Sequence, residues 1–242
     1  MDVSQIDLTL FVACYNEEKN ITETLDTIVS ACAEVGCTYE VLIIDDASKD
    51  RSVEVIREYM QRNPASPIVL KVNQQNEGLG NNYVEGAFIG RGTWYRLVCG
   101  DNVEPKETLL KVFSQIGRAE ILIPYHAGQV GRTLFRRILS RSYTAIVNTI
   151  SGNRIRYYNG LPLTRRYYVM RWHSNSHGFG FQADLITRLL DRKISYLEIP
   201  VSSQERTEGN SSALTFKNFC SVANSLLTMM IRRASKIFYG RS

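Results

Sequence analysis

Leu97-Val98-Cys99-Gly100-Asp101-Asn102-Val103-Glu104-Pro105 is an apolar strand running into a short acidic turn, with a proline at the start of the next helix. A carboxylate at the carboxyl end of a strand in an α/β sheet faces the crevice where such folds place ligands. Asp101 is therefore the first residue to consider as a metal ligand.

Upstream, the order strand, loop, helix repeats. Residues 8–13 are an almost continuous apolar run, of the kind buried on both faces of a parallel sheet. They open into Cys14-Tyr15-Asn16-Glu17-Glu18, and a helical pattern at Ile21, Leu25, Ile28, Val29 and Cys32 follows, stopping at Gly36. Glu17 and Glu18 suit the positive end of that helix. Residues 39–44 form a second strand ending in Asp45-Asp46-Ala47-Ser48-Lys49-Asp50, where Ser48 or Asp50 can cap the helix that follows. Of the two adjacent acids, one is expected to cap backbone amides, leaving the other for a base or sugar.

A third strand at 67–72 leads into Asn76-Glu77-Gly78-Leu79-Gly80, whose glycines allow a tight turn into a helix with amides open to a phosphate. This is neither a GxGxxG after the first strand nor a phosphate loop ending in Gly-Lys-Ser, so the dinucleotide-binding and ATPase classes lose their support. Strand 94–99, helix 105–116 and strand 120–124 complete the alternation. It predicts one mostly parallel α/β sheet with helices on both faces, with no linker and no internal repeat.

Composition agrees. With 242 residues, 44% hydrophobic and 22% charged, the chain can bury a large core. The net charge of +5 is uneven: bases gather at 132–141, 154–171 and 232–241, which implies an anionic partner. The basic, aromatic 154–172 stretch carries no recognised nucleic-acid motif, so nucleic acid is not expected as a partner. Five cysteines without a CxxC spacing argue against a disulfide framework or zinc site. With no basic apolar leader in view, the expected compartment is cytoplasmic. No apolar run reaches the roughly 20 residues that span a bilayer.

The second half is organised differently. Residues 131–150 read as a helix on which Arg132, Arg136 and Ser140 form one stripe at about 100° per residue, suited to clamping an anion. Residues 153–171 have an irregular pattern expected for a pocket-lining loop with short strands. Asp184 falls in the first turn of a helix opened by Gly178-Phe179-Gly180, either as a capping acid or as a reacting carboxylate. A strand at 194–201 precedes a polar loop holding Arg206 and Ser212. The tail from 214 has apolar residues at helical spacing with Arg232, Arg233 and Lys236, a pattern shared by core helices and by helices lying on a membrane.

Four stretches in this order resemble the signature blocks of family-2 glycosyltransferases: Val12-Ala13-Cys14-Tyr15-Asn16-Glu17-Glu18, Asp45-Asp46-Ala47-Ser48, Asn76-Glu77-Gly78-Leu79-Gly80 and Gly100-Asp101-Asn102. The second half is similar to the polyprenyl-phosphate branch, which includes dolichyl-phosphate mannosyltransferases. The resemblance implies a GT-A fold and a single domain over 1–242, with a nucleotide-sugar half (1–125), an acceptor half (126–213) and an amphipathic C-terminal helix (214–242). It implies an inverting sugar transfer from a UDP- or GDP-linked donor to a polyprenyl phosphate at the cytosolic face of a membrane.

Carried over by position, Ala13, Tyr15, Asn16, Glu17, Asp45, Asn76, Gly78 and Gly100 would border the donor nucleotide, and Asp101 would hold Mg²⁺ or Mn²⁺. Arg132, Arg136, Ser140, Arg206 and Ser212 would hold the acceptor phosphate, with Asp101, Asp184 and Arg206 as the catalytic set. The family usually has Pro at 13, Gly at 47 and a first acid where this chain has Cys99, so Asp101 is expected to hold the metal either alone, with water and phosphate oxygens, or with Asn102 or Glu104 compensating. A saccharide hydroxyl as acceptor would need a general base, for which Asp184 is the candidate; a lipid phosphate is already anionic and needs cations instead. A non-catalytic nucleotide-sugar binder stays open beside both.

Overall fold

β1 (Leu8–Cys14) and β2 (Tyr39–Asp45) are buried along almost their whole length, because apolar side chains leave both faces of each strand. Leu10, Val12, Val41 and Ile43 face one way, and Phe11, Leu42 and Ile44 face the other. The computed structural model describes residues 6–127, 134–173, 180–202 and 216–239, with the side chains at 136, 216–220, 236, 237 and 239 excepted.

The sheet also contains β3 (Ile68–Val72), β4 (Trp94–Cys99), β5 (Ile121–His126), β6 (Leu163–Arg165) and β7 (Tyr196–Val201), in the order β3-β2-β1-β4-β6-β5-β7. β1 pairs in parallel with β2 and β4, β2 with β3, and β5 with β7; β6 is antiparallel to both β4 and β5. The carboxyl ends of the six parallel strands therefore lie along one edge. The mostly parallel α/β sheet expected from the alternation is present.

On one face α1 (Ile21–Val35), α2 (Ser52–Arg62) and α4 (Lys106–Phe113) cover a core that includes Ile21, Leu25, Ile28, Ile56, Leu109 and Phe113. α1 stops at Gly36, whose left-handed conformation (φ 73°) lets its amide return to the Cys32 carbonyl. On the other face lie α3 (Leu79–Ile89), α5 (Leu134–Ser151), α6 (Arg166–Trp172), α7 (Phe181–Asp191) and α8 (Phe216–Tyr239). Their core includes Tyr83, Val147, Val169, Phe181, Ile186 and Met229.

Of the pocket-lining loop with short strands expected over 153–171, one short strand is present as β6; the correction is α6, which follows it directly. Three residues carry no readable period, and the antiparallel pairing of β6 is set by β4 and β5, which flank it. The first half of the segment does run over β5: a Cβ at Gly160 would collide with the Pro124 carbonyl oxygen, so only glycine allows this approach.

Candidate active site

From β1 the chain steps outward through β2 to β3, then returns to place β4 on the other side of β1. Such a reversal leaves a crevice at the carboxyl ends of β1 and β4, where open α/β sheets bind ligands. Ala13 and Cys99 are register partners at that point, and the Gly100 amide donates to the Ala13 carbonyl (2.9 Å). A Cβ on Gly100 would meet the same carbonyl oxygen at 2.9 Å, which explains a glycine before the acid. Asp101 follows on the crevice rim, half-buried.

The loops after β1 and β2 clip one another through reciprocal hydrogen bonds. The Asn16 amide donates to Ser48 Oγ (2.9 Å), and the Lys49 amide donates back to Asn16 Oδ1 (2.7 Å). The Glu17 amide donates to Ser52 Oγ (2.8 Å), and the Glu18 amide to Asp50 Oδ2 (3.1 Å). Asn16 adopts φ 57° and Ala47 φ 62°, left-handed conformations that asparagine tolerates and alanine resists. Tyr15 projects from this frame, 44% exposed. Glu17 is buried, and its Oε2 accepts from Asn20 Nδ2 (2.9 Å) at the start of α1.

Asp45 and Asp46 each cap a loop, so the capping expected of one of them is shared by both. Asp45 is fully buried and accepts the Ser48 amide (3.0 Å) and hydroxyl (2.5 Å). Asp46 accepts the amides of Glu77 (2.8 Å) and Gly78 (3.0 Å) and the side chain of Asn73 (3.0 Å). Asn76 Nδ2 turns back to the Asp46 carbonyl (3.2 Å), and Gly78, at φ 83°, starts α3. The Cys14 thiol, pushed up to about 12 by burial and then by the Asp45 charge, stays protonated beside them.

Of the two alternatives, compensation by Asn102 or Glu104 is not supported by where their side chains lie. Glu104 forms a fork with the buried Arg96, accepting from both terminal nitrogens (3.0 and 2.6 Å), while Arg96 Nε donates to the Leu161 carbonyl (3.1 Å). Asn102 turns toward α1, donating to Glu23 Oε2 (3.1 Å) and accepting from Thr27 (3.4 Å). Burial, with the charges of Asp101 and Glu104, pushes the Cys99 thiol well up, so it stays neutral. Among the described residues no three His, Cys, Asp or Glu side chains gather as a metal site. The local donor set is thus the Asp101 carboxylate, which suits a Mg²⁺-like ion that takes its other ligands from water and phosphate.

Farther along the same edge, a pocket of about 270 Å³ is lined by Tyr125, His126, Ser140, Arg141, Asn148 and Arg156, among others. With β6 between them, β4 and β5 stand about 10 Å apart, so this pocket neighbours the crevice. Ser140 of the expected acceptor stripe is in it; Arg132, Arg206, Ser212 and the side chain of Arg136 lie outside the described residues. Arg156, which sequence reasoning missed for want of any periodicity around it, packs over the Tyr125 ring at 4.7 Å.

Asp184 is placed differently from what a general base needs. Its side chain is 2% exposed; Oδ1 accepts from Arg232 (2.7 Å) and Oδ2 from Arg188 (2.9 Å). Both oxygens are spent on ion pairs, one reaching across from α8. Of the residues that tie the loops after β1 and β2 together, Ser48 and Asp50 were visible in the sequence as candidate helix caps and Ser52 was not singled out.

Comparison with known proteins agrees with this geometry. The family model described as glycosyl transferase family 2 matches residues 9–177 of the chain. An undecaprenyl-phosphate 4-deoxy-4-formamido-L-arabinose transferase of Edwardsiella ictaluri is 24% identical over 204 residues, 84% of this chain and 62% of its own length. The chain thus spans less than two thirds of that relative. A dolichyl-phosphate beta-glucosyltransferase of Dictyostelium discoideum is 31% identical over 104 residues, 41% of this chain and 32% of its own. Among solved structures, the mannosyltransferase PcManGT of Pyrobaculum calidifontis, in complex with GDP-Man and Mn²⁺, has a TM-score of 0.63 at 13% identity, covering 99% of this chain and 77% of that one. Glucosyl-3-phosphoglycerate synthase of Mycobacterium tuberculosis, with Mn²⁺, UDP and phosphoglyceric acid, has a TM-score of 0.67 at 10% identity, covering 94% and 78%. A sheet with its switch point between β1 and β4, four signature blocks on the loops around it and a family match across most of the chain converge on one assignment: the protein belongs to glycosyl transferase family 2.

Proposed function

We propose that the chain transfers a sugar from a UDP- or GDP-linked donor to a polyprenyl phosphate at the cytosolic face of a membrane, with inversion. Tyr15, Asn16 and Glu17 on one side of the crevice and Asp101 on the other border the nucleotide and its diphosphate. Asp45 acts one bond removed, fixing the Ser48 hydroxyl that receives the Asn16 amide. Asp101 would hold a divalent cation, which when bound neutralises charge on the departing nucleoside diphosphate.

The observation that carries the choice of acceptor is the state of Asp184. A hydroxyl acceptor must lose a proton as it attacks, yet the candidate base is buried with both oxygens held by arginines. A phosphate monoester arrives as an anion. One of its oxygens bonds to the anomeric carbon, the bond from that carbon to the diphosphate oxygen breaks, and the electron pair leaves with the nucleoside diphosphate. Nothing needs deprotonating; what is needed is a cationic seat at the right distance. Ser140, Arg141 and Arg156 supply one beside the crevice, and Arg132, Arg136, Arg206 and Ser212 would extend it. The relatives that act on undecaprenyl and dolichyl phosphates support the same reading.

The test is an Arg141→Ala/Arg156→Ala variant assayed for transfer to a short-chain prenyl phosphate and, separately, for nucleotide-sugar binding by calorimetry. Transfer should fall by about tenfold or more, as loss of charge-assisted contacts implies, with donor binding kept. Unchanged transfer would remove the acceptor assignment.

A further inference from the structure

α8 leaves most of its exposed surface apolar. Its inward face is mixed: Met229 and Leu226 join the core, while Arg232 bonds Asp184 (2.7 Å) and Thr187 (2.6 Å), Arg233 pairs with Asp191 (2.7 Å) and donates to the Ser151 carbonyl, and Ser225 is buried. The outward face is apolar. Ala223, Leu227, Met230, Ile231, Ala234 and Phe238 are all exposed, Phe238 by 81%. Their spacing puts them in one stripe roughly 22 Å long. A helix at a water-facing surface turns its apolar stripe inward, and monomers seldom leave such a stripe open without a partner.

Two further observations say what that partner is. α5 packs on α8, and Leu134, Phe135, Ile138 and Leu139 in its first turns are likewise exposed. Neither helix contains a single Asp or Glu, whereas α5 carries Arg136, Arg137 and Arg141, and Arg154 and Arg156 follow it. A second copy docking by two-fold symmetry would bring these arginines face to face. A bilayer with anionic headgroups accepts both the apolar stripe and the basic rim.

We propose that the outer faces of α8 and α5 are a docking surface for a membrane containing anionic lipid. The proposal rests on the lipid-phosphate reading only for its expectation of a membrane, and its test does not depend on catalysis. It also gives the inward arginines a purpose: they fasten the docking helix to α7, so that a bilayer met by α8 lies at a fixed orientation to the acceptor pocket.

The experiment is co-sedimentation of the full chain with phosphatidylcholine vesicles, with and without phosphatidylglycerol. Binding is expected to vesicles containing phosphatidylglycerol and to weaken with salt, and L227E/I231E is expected to lower the partition roughly tenfold or more. Both changed residues are exposed, so the thermal melt should stay that of the parent chain. As a second readout, I231W should show a blue shift of its added fluorescence on the same vesicles. The proposal is overturned if the chain ignores both vesicle types, if L227E/I231E binds as the parent does, or if light scattering shows a lipid-free dimer that L227E/I231E dissolves. Vesicle binding without any transfer to prenyl phosphate would leave this surface standing and refute the proposed reaction alone.

Discussion

Glu104→Gln offers a sharp test of how the turn that carries Asp101 is held. Arg96 is a central-strand residue whose side chain is fully buried, and Glu104, 12% exposed, is its counter-ion in a two-pronged geometry with 3.0 and 2.6 Å contacts. Glutamine keeps the shape but removes the charge and points an amide donor at a guanidinium that can only donate. Breaking a buried pair from one side costs about 3–5 kcal/mol, because the remaining ion keeps its desolvation penalty. For a domain of this size that is a drop in Tm of roughly 6–20 °C, read by calorimetry or by urea midpoint. The companion variant Arg96→Met/Glu104→Leu should recover most of the loss, since two apolar groups leave no stranded charge. A loss under about 1 kcal/mol for Glu104→Gln would refute the pairing and return Glu104 to the list of metal ligands.

Three further outcomes follow from particular residues. Ala47→Gly should raise stability by up to about 1 kcal/mol in urea titration, since it relieves a left-handed alanine (φ 62°) at a smaller chain-entropy cost. Ser48→Ala should weaken nucleotide-sugar binding measured by calorimetry, and should cost about 1–3 kcal/mol by leaving the buried Asp45 with one partner fewer. Glu40 is buried, which alone would raise its pKa, but the Thr9 hydroxyl, the Arg91 amide and then the Arg91 guanidinium hold it below the ordinary carboxylate value. Its contribution is therefore complete above the unfolded value near 4.3 and lost as pH falls through the lower folded value, so Glu40→Gln should flatten the acid limb of a stability-versus-pH curve.

The central strands were legible because β1, β2 and β4 are apolar runs buried on both faces, and helices at 3.6-residue spacing separate them. The crevice was legible through Asp101 and the loop after β1, since carboxyl ends of strands are where turn chemistry concentrates. The place and antiparallel pairing of β6, one of the short strands expected over 153–171, were not, since three residues carry no period and the partners are chosen by tertiary pairing. Nor was the role of Glu104: its partner Arg96 sits in an apolar strand, and only the fold shows that an arginine there is buried. Asp184 is the same lesson at longer range, since its second arginine comes from α8, forty-eight positions away. The tail's periodicity gave a helix, but periodicity does not say which residues point inward, and here Arg232, Arg233 and Ser225 do so beside Met229 while Leu227, Ile231 and Phe238 stay exposed.

The central claim, sugar transfer to a lipid phosphate, meets its most direct test in a radiolabelled transfer assay. UDP- and GDP-linked sugars are supplied with Mg²⁺ or Mn²⁺ to a polyprenyl phosphate, to the matching polyprenol and to oligosaccharide acceptors. The account predicts labelled lipid from the phosphate and none from the polyprenol or the saccharides. Product on a saccharide hydroxyl, with the lipid phosphate inert, would contradict it.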